Sequence, residues 1–284
     1  MVSVPVLALE IPVGACSWPR SLEVRPVEGD DLTAIMAPLR PGGYDPSLVT
    51  STTERREQLK AVYEEARGCL RCPLHQTRTT VVFGAGNADA ELMFIGEAPG
   101  ANEDRLGLPF VGQAGKLLDK LLGEIGMERG DVFVANTVKC RPPDNRDPHP
   151  REIESCQGYL RRQVDLIEPS VICTLGNFST KLLRGETTGI SRLHGCEETR
   201  VIGTRAVRLY PLYHPAAALY TPATLQLLRA DFHRIPELLA LGAPPQPAVE
   251  LEPIPELEEE PVTDPGAGQS PAAGVPLATQ LGLF

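Results

Sequence analysis

The 284-residue chain lacks any run of about 20 apolar residues, so the sequence predicts no membrane-spanning helix and no membrane partner. Its first sixteen residues are mostly apolar, but they contain no Lys or Arg, and Pro5, Glu10 and Pro12 interrupt them. A secretory signal needs a basic start and an unbroken apolar stretch, so we expect none here. The sequence therefore favours a cytoplasmic protein.

Lys and Arg are also missing from residues 241–284, which are rich in proline and hold seven acidic residues. Such a segment buries too little apolar surface to offset its ordering entropy, so we expect residues 242–284 to form a disordered acidic tail. Residues 1–50 are similarly proline-rich and acidic, and we expect a poorly ordered extension there. The two ends carry the whole formal charge of −10, because residues 51–240 hold 24 acidic and 24 basic residues. A near-neutral domain over residues 51–241 remains compatible with binding a polyanion through local basic clusters.

Within that domain, apolar runs alternate with segments of helical periodicity. Four runs predict strands, at residues 91–96, 131–138, 170–175 and 206–213. Helices are predicted at residues 53–68, 115–127, 150–167 and 225–241, with another ending at Leu183. This alternation predicts an α/β fold, a three-layer α/β/α arrangement around a central, mostly parallel four-stranded sheet. Ligands of such sheets bind at the carboxyl ends of the strands, and three of those ends carry Glu97, Asn136 and His214.

Four cysteines have the spacing of a metal site. Cys69 and Cys72 form a C-x-x-C pair, and Cys140 and Cys156 follow far along the chain. Four thiolates are the ligand set of structural zinc and also of a cubane iron–sulfur cluster. The spacing by itself leaves both possibilities open.

Five short motifs accompany these cysteines. They read GEAPGANED at residues 96–104, PFVG at 109–112, NTVKCRPP at 136–143, NR at 145–146 and HPAA at 214–217. In these motifs and in the cysteine spacing, the sequence resembles the family 4 uracil-DNA glycosylases, the iron–sulfur branch of the uracil-DNA glycosylase superfamily. The resemblance implies a glycosylase fold, a [4Fe–4S] cluster on the four cysteines with zinc as the alternative, and hydrolysis of the N-glycosidic bond of deoxyuridine in DNA.

The resemblance also implies roles for individual residues around a flipped-out base. Phe110 is expected to stack on uracil, and the backbone of Ala98 and Pro99 to contact the base and shape the water site. Asn136 suits uracil because one amide offers a donor for O4 and an acceptor for N3–H, whereas cytosine presents the opposite pattern. His214 is expected to donate a hydrogen bond to uracil O2 as negative charge develops there.

The group that activates water is less obvious from the sequence. The best-known branch of the superfamily has an Asp where this chain has Ala98. The nearby carboxylates of Glu97 and Glu103 are candidates for orienting water or excluding the thymine methyl group, although each also suits a solvated loop or a helix start. Asn145 is a further candidate for positioning water or phosphate.

Other residues predict contacts with DNA and with a partner protein. Basic residues near the cysteines predict phosphate contacts and salt-sensitive binding, namely Arg71, Arg78, Lys139, Arg141, Arg146 and Arg151. Leu219 or Tyr220 is expected to fill the space that the flipped base leaves. The last five residues, with Gln280, Leu281, Leu283 and Phe284, resemble the bacterial sliding-clamp binding pentapeptide.

Together these patterns predict a monomeric repair glycosylase that acts on uracil-containing DNA near the nucleoid. One alternative is a glycosylase that also accepts other deaminated bases. The other is a non-enzymatic, metal-stabilised adapter that binds DNA and the clamp.

Overall fold

A computed structural model of the protein describes residues 51–247. The predicted N-terminal extension and the clamp motif with Gln280, Leu281, Leu283 and Phe284 lie outside the described residues. At the other boundary, Gln246 exchanges two hydrogen bonds with the backbone of Ala206, so the first residues of the predicted tail contact the domain. None of the helices in this range has the length and apolar character needed to cross a bilayer.

The centre of the domain is a six-stranded sheet in the order β1-β3-β2-β4-β6-β5. The strands are β1 Ala85–Gly86, β2 Leu92–Gly96, β3 Phe133–Asn136, β4 Val171–Leu175, β5 Glu198–Ile202 and β6 Arg205–Leu212. The four predicted strands β3, β2, β4 and β6 are neighbours and run parallel, which confirms the predicted central sheet. The two edge strands are antiparallel additions that the sequence analysis did not predict.

Helices cover both faces of this sheet. They are α1 Thr52–Arg67, α2 Ala101–Leu106, α3 Gln113–Glu124, α4 Pro150–Ile167, α5 Asn177–Arg184, α6 Ile190–Leu193, α7 Pro215–Ala218, α8 Pro222–His233 and α9 Ile235–Ala240. Along β2, Met93 and Ile95 pack into one apolar cluster that includes residues of α1 and α4. Leu92 and Phe94 point the other way, into a cluster with α3 and α8. Because successive strand side chains alternate between faces, this central strand is buried on both sides and the fold has three layers.

One helix prediction is wrong in detail. The segment predicted as a single helix over residues 225–241 forms α8 and α9, which meet at Arg234. Pro236 explains the break, because proline has no N–H to donate and its ring collides with the preceding turn.

Candidate active site

The functional candidates gather at one edge of the sheet. Glu97 follows β2, Asn136 ends β3, Gly176 follows β4 and His214 lies just beyond β6. These strands are parallel, and the register pairs Gly96 with Asn136, so their carboxyl ends lie side by side. The side chains expected at the carboxyl ends of the parallel strands therefore do lie at the same edge of the sheet.

Gly96 is the point at which two of the side chains meet. A Cβ atom placed on Gly96 would lie 2.5 Å from Oδ1 of Asn136 and 2.8 and 2.9 Å from Cζ and Cε2 of Phe110. The ring of Phe110 in turn faces the imidazole of His214, with centroids 5.6 Å apart and planes inclined by 29°. A carboxamide, an aromatic ring and an imidazole thus lie next to one another at this edge of the sheet.

Phe110 is held in an uncommon backbone conformation, with φ at 55°. Bulky residues rarely adopt positive φ, and such strain persists only where the surroundings fix it. Oε1 of Glu103 accepts hydrogen bonds from the backbone N–H groups of Val111 (3.0 Å) and Gly112 (3.1 Å), directly after the ring. Gly115 leaves room for the turn, because a Cβ there would lie 1.7 Å from the Phe110 carbonyl oxygen. Glu103 therefore shapes the loop that presents Phe110.

His214 is fixed in one tautomer. Its Nδ1 accepts a hydrogen bond from the Ala216 backbone N–H at 3.1 Å, as the N-cap of α7. Burial among protein atoms lowers the pKa of His214 to about 4, against a smaller opposing effect of the Glu103 carboxylate. At neutral pH the ring is therefore uncharged, and its proton lies on Nε2. Gly176, at φ 94°, allows this placement, because a Cβ there would lie 3.0 Å from the His214 Cβ.

Among the carboxyl groups at this edge, Glu97 has the most strongly shifted pKa. Burial and, secondly, the neighbouring carboxylate of Asp147 raise the pKa of Glu97 to about 7. Its carbonyl oxygen accepts from Thr137 Oγ1 at 2.5 Å and from Val138 N–H at 3.2 Å, which ties the end of β2 to the end of β3. Asp147 was not among the predicted site residues, and it is exposed on a loop fifty residues from Glu97 along the chain.

The remaining predicted site residues differ in their surroundings. Pro99 is buried and Ala98 is half-buried against the core, next to Glu97. Asn145 lies on the exposed 3₁₀ turn Pro143–Asn145, where its Oδ1 accepts a hydrogen bond from Arg141 Nε at 2.8 Å. Its suggested role in positioning water or phosphate stays a prediction.

The four cysteines lie together. Cys69, Cys72, Cys140 and Cys156 line one pocket with Tyr159 and several basic residues. In the described part of the chain, no group of three or more His, Cys, Asp or Glu side chains is arranged to hold a single metal ion.

Two of the sulfurs accept hydrogen bonds. Arg78 Nη1 donates to Cys140 Sγ, and the Lys139 backbone N–H donates to Cys156 Sγ, each at 3.2 Å. Burial raises the pKa of Cys156 to about 12, so its thiol ionises at neutral pH only when a positive centre compensates the charge.

One of the predicted phosphate contacts needs correction. Lys139 is only 1% exposed, so the expectation that it contacts phosphate is wrong. Arg78 donates to a cysteine sulfur, and Arg71 lies 4.9 Å above the ring of Tyr159. Arg146 forms a 2.7 Å ion pair with Glu152.

Other residues near the site remain accessible to DNA. Arg151 is exposed, and so are Leu219 and, more strongly, Tyr220 beyond His214. The predicted role of Leu219 or Tyr220 in filling the vacated space stays a prediction.

Comparison with known proteins places these features in context. Residues 83–235 match the family model of the uracil DNA glycosylase superfamily. The chain is 48% identical over 187 residues to a type-4 uracil-DNA glycosylase of Sulfurisphaera tokodaii, which covers 64% of this chain and 85% of the relative. It is 44% identical over 192 residues to the type-4 uracil-DNA glycosylase of Archaeoglobus fulgidus, covering 66% of this chain and 96% of the relative. The type-4 uracil-DNA glycosylase of Saccharolobus solfataricus is 47% identical over 189 residues, which span 65% of this chain and 88% of that protein.

Proposed function

This chain belongs to the type-4 uracil-DNA glycosylases, and we therefore propose that it excises uracil from DNA by hydrolysing the N-glycosidic bond of deoxyuridine. The products are free uracil and an abasic site. One observation carries the proposal at the level of this chain: Asn136 and Phe110 meet at Gly96, and the Phe110 ring faces the imidazole of His214. An adapter without catalytic activity would have no use for such a pocket.

We propose that the flipped base lies against the Phe110 ring and that the Asn136 amide reads its O4 and N3–H edge, with the backbone of Ala98 and Pro99 along its side. As the bond from C1′ to N1 breaks, its electron pair moves into the uracil ring and charge develops on O2. The Nε2–H of neutral His214 suits donation to that oxygen. A donor aimed at developing charge is worth about 3–4 kcal/mol in comparable enzymes.

We assign the two glutamates different roles. Glu97 has a half-buried carboxyl group beside Asp147, and we propose that its ionised form orients the attacking water and accepts a proton from it. Glu103 already accepts two backbone N–H groups, so we propose that it positions the Phe110 loop instead.

We propose that the four cysteines hold a [4Fe–4S] cluster, with a structural role. Their sulfurs line a pocket and accept hydrogen bonds from Arg78 and the Lys139 backbone, as cluster ligands do. A single zinc ion, the alternative, would draw four sulfurs to about 2.3 Å from one point. The resemblance to the iron–sulfur branch of the superfamily favours the cluster over zinc.

We further propose how the protein works in the cell. The glycosylase domain occupies residues 51–241 and acts as a monomer on DNA, in the cytoplasm near the nucleoid. The acidic tail carries the pentapeptide at residues 280–284 to a sliding clamp, since a tether raises the local concentration of an anchor. Clamp pull-down with the full chain and with a chain ending at residue 279 tests this contact, and equal recovery would contradict it.

The activity is tested with oligonucleotides that hold one uracil, thymine, hypoxanthine or xanthine, followed by alkaline cleavage of abasic sites. We expect strand breaks only at uracil with the unmodified protein, and at most slow cleavage with His214→Ala. Comparable cleavage at hypoxanthine or xanthine would favour the broader glycosylase. Cleavage at none of the four would favour the adapter.

A further inference from the structure

Lys139 is a buried cation whose side chain ends between the two functional regions. It lies three positions after Asn136, the residue proposed to recognise uracil, and directly before Cys140, a proposed ligand of the iron–sulfur cluster. Only 1% of Lys139 is exposed. Burying an ammonium group is costly unless its hydrogen bonds are satisfied, so a lysine at this place needs a structural or functional reason.

Each polar group of Lys139 has a partner. Its Nζ donates to the backbone oxygen of Asn136 at 2.8 Å and to Oε1 of Gln163 at 2.5 Å. Its backbone N–H donates to Cys156 Sγ at 3.2 Å, and its carbonyl accepts from Val82 N–H at 2.8 Å. Lys139 therefore connects the end of β3 at Asn136 with helix α4 and with the cysteine pocket.

The contact with Asn136 closes a small loop. The side chain of Lys139 folds back onto the carbonyl of the residue three positions earlier, at the carboxyl end of β3. In between, Thr137 N–H donates to the Gly96 carbonyl at 3.0 Å, which fixes the same segment to β2. The peptide between Asn136 and Thr137 is thus held both at its carbonyl oxygen and at its N–H group.

We propose that Lys139 is a positioning residue that sets uracil specificity: its ammonium group holds the Asn136 backbone so that the amide presents one orientation to the base. An asparagine amide that turns over would match cytosine as well as uracil, so discrimination depends on holding it still. Lys139 also links this position to the cysteine pocket. The inference rests on the proposed uracil excision and deepens it.

The test compares two variants: Lys139→Met removes both hydrogen bonds of Nζ, and Gln163→Met removes only the bond to Gln163 Oε1. Lys139→Met frees the Asn136 carbonyl, whereas Gln163→Met leaves the bond between Lys139 and Asn136 in place. Both are expected to lower the melting temperature. Only Lys139→Met should lower kcat, by roughly 10- to 100-fold, because small displacements of a recognition group have effects of this size.

Base discrimination gives a readout that a merely stabilising role would not change. The measurement is the affinity for an oligonucleotide with 2′-fluoro-deoxyuridine, which resists cleavage, relative to one with 2′-fluoro-deoxycytidine. We expect the ratio to fall about tenfold for Lys139→Met and to stay unchanged for Gln163→Met. Iron content and visible absorption, measured in parallel, should match between the two variants.

A second variant covers the case in which Lys139→Met folds poorly. The double change Lys139→Met with Gln163→Met removes both members of the Lys139–Gln163 pair, so it should lose less melting temperature than the two single changes added together, without restoring the uracil preference. An unchanged affinity ratio in the folded Lys139 variants, beside a wild type that prefers uracil, overturns the inference alone. A wild type without that preference overturns the proposed function and this inference together.

Discussion

The substitution Gly96→Ala tests the geometry of the pocket most directly. It adds one methyl group to the point where Asn136 and Phe110 meet. The new Cβ would lie 2.5 Å from Asn136 Oδ1 and within 2.9 Å of two Phe110 ring carbons. Carbon atoms pack at about 3.5–4.0 Å, so the side chains must retreat by roughly 1 Å.

The size of the effect follows from that displacement. Both side chains lie on the proposed base-binding surface, and neither can move away without opening the pocket. A misplacement of about 1 Å commonly lowers an enzymatic rate by about 100-fold, which corresponds to about 2.7 kcal/mol of activation free energy. We therefore expect kcat/KM on uracil-containing DNA to fall by about two orders of magnitude while the protein remains folded.

The assay is single-turnover cleavage of a uracil oligonucleotide, with thermal unfolding recorded for the same samples. Gly112→Ala is the matched control, because a Cβ at Gly112 would lie 3.6 Å from Glu103 Oε1, an ordinary contact. This control should keep kcat/KM within about threefold. If folded Gly96→Ala protein were as active as the control, the pocket would not lie where we propose.

Three further predictions follow from the same site. The rate should rise with pH around pH 7, because the raised pKa of Glu97 keeps its carboxyl group protonated below that pH. Glu97→Gln should abolish this pH dependence, and Asp147→Asn should shift it to lower pH. His214→Ala should lower kcat by roughly 10²- to 10³-fold with little change in melting temperature, since the ring contributes mainly a hydrogen bond to developing charge; near-normal turnover would contradict that role. Cys156→Ser should remove iron and visible absorption from the anaerobically purified protein, whereas a colourless wild type that contains zinc would contradict the cluster.

The neutral state of His214 illustrates how far the sequence reaches. Its position at a strand end and before a proline made it a candidate. Its pKa of about 4 and its Nε2 proton depend on burial and on the Ala216 N–H group. The motif identified the residue, but the surrounding atoms set its chemistry.

The sequence by itself determined the four parallel strands, the residues at their carboxyl ends and the four cysteines, because apolar runs, turn residues and ligand spacing are local patterns. The edge strands, the division of the last helix and the carboxyl pair of Glu97 and Asp147 were not evident. Lys139 shows the difference most clearly: beside a cysteine and a proline-rich loop it suggested a phosphate contact, yet it is buried against Asn136 and Gln163. Whether a lysine lies at the surface or in the core depends on which distant segments pack over it, and only the tertiary structure decides that.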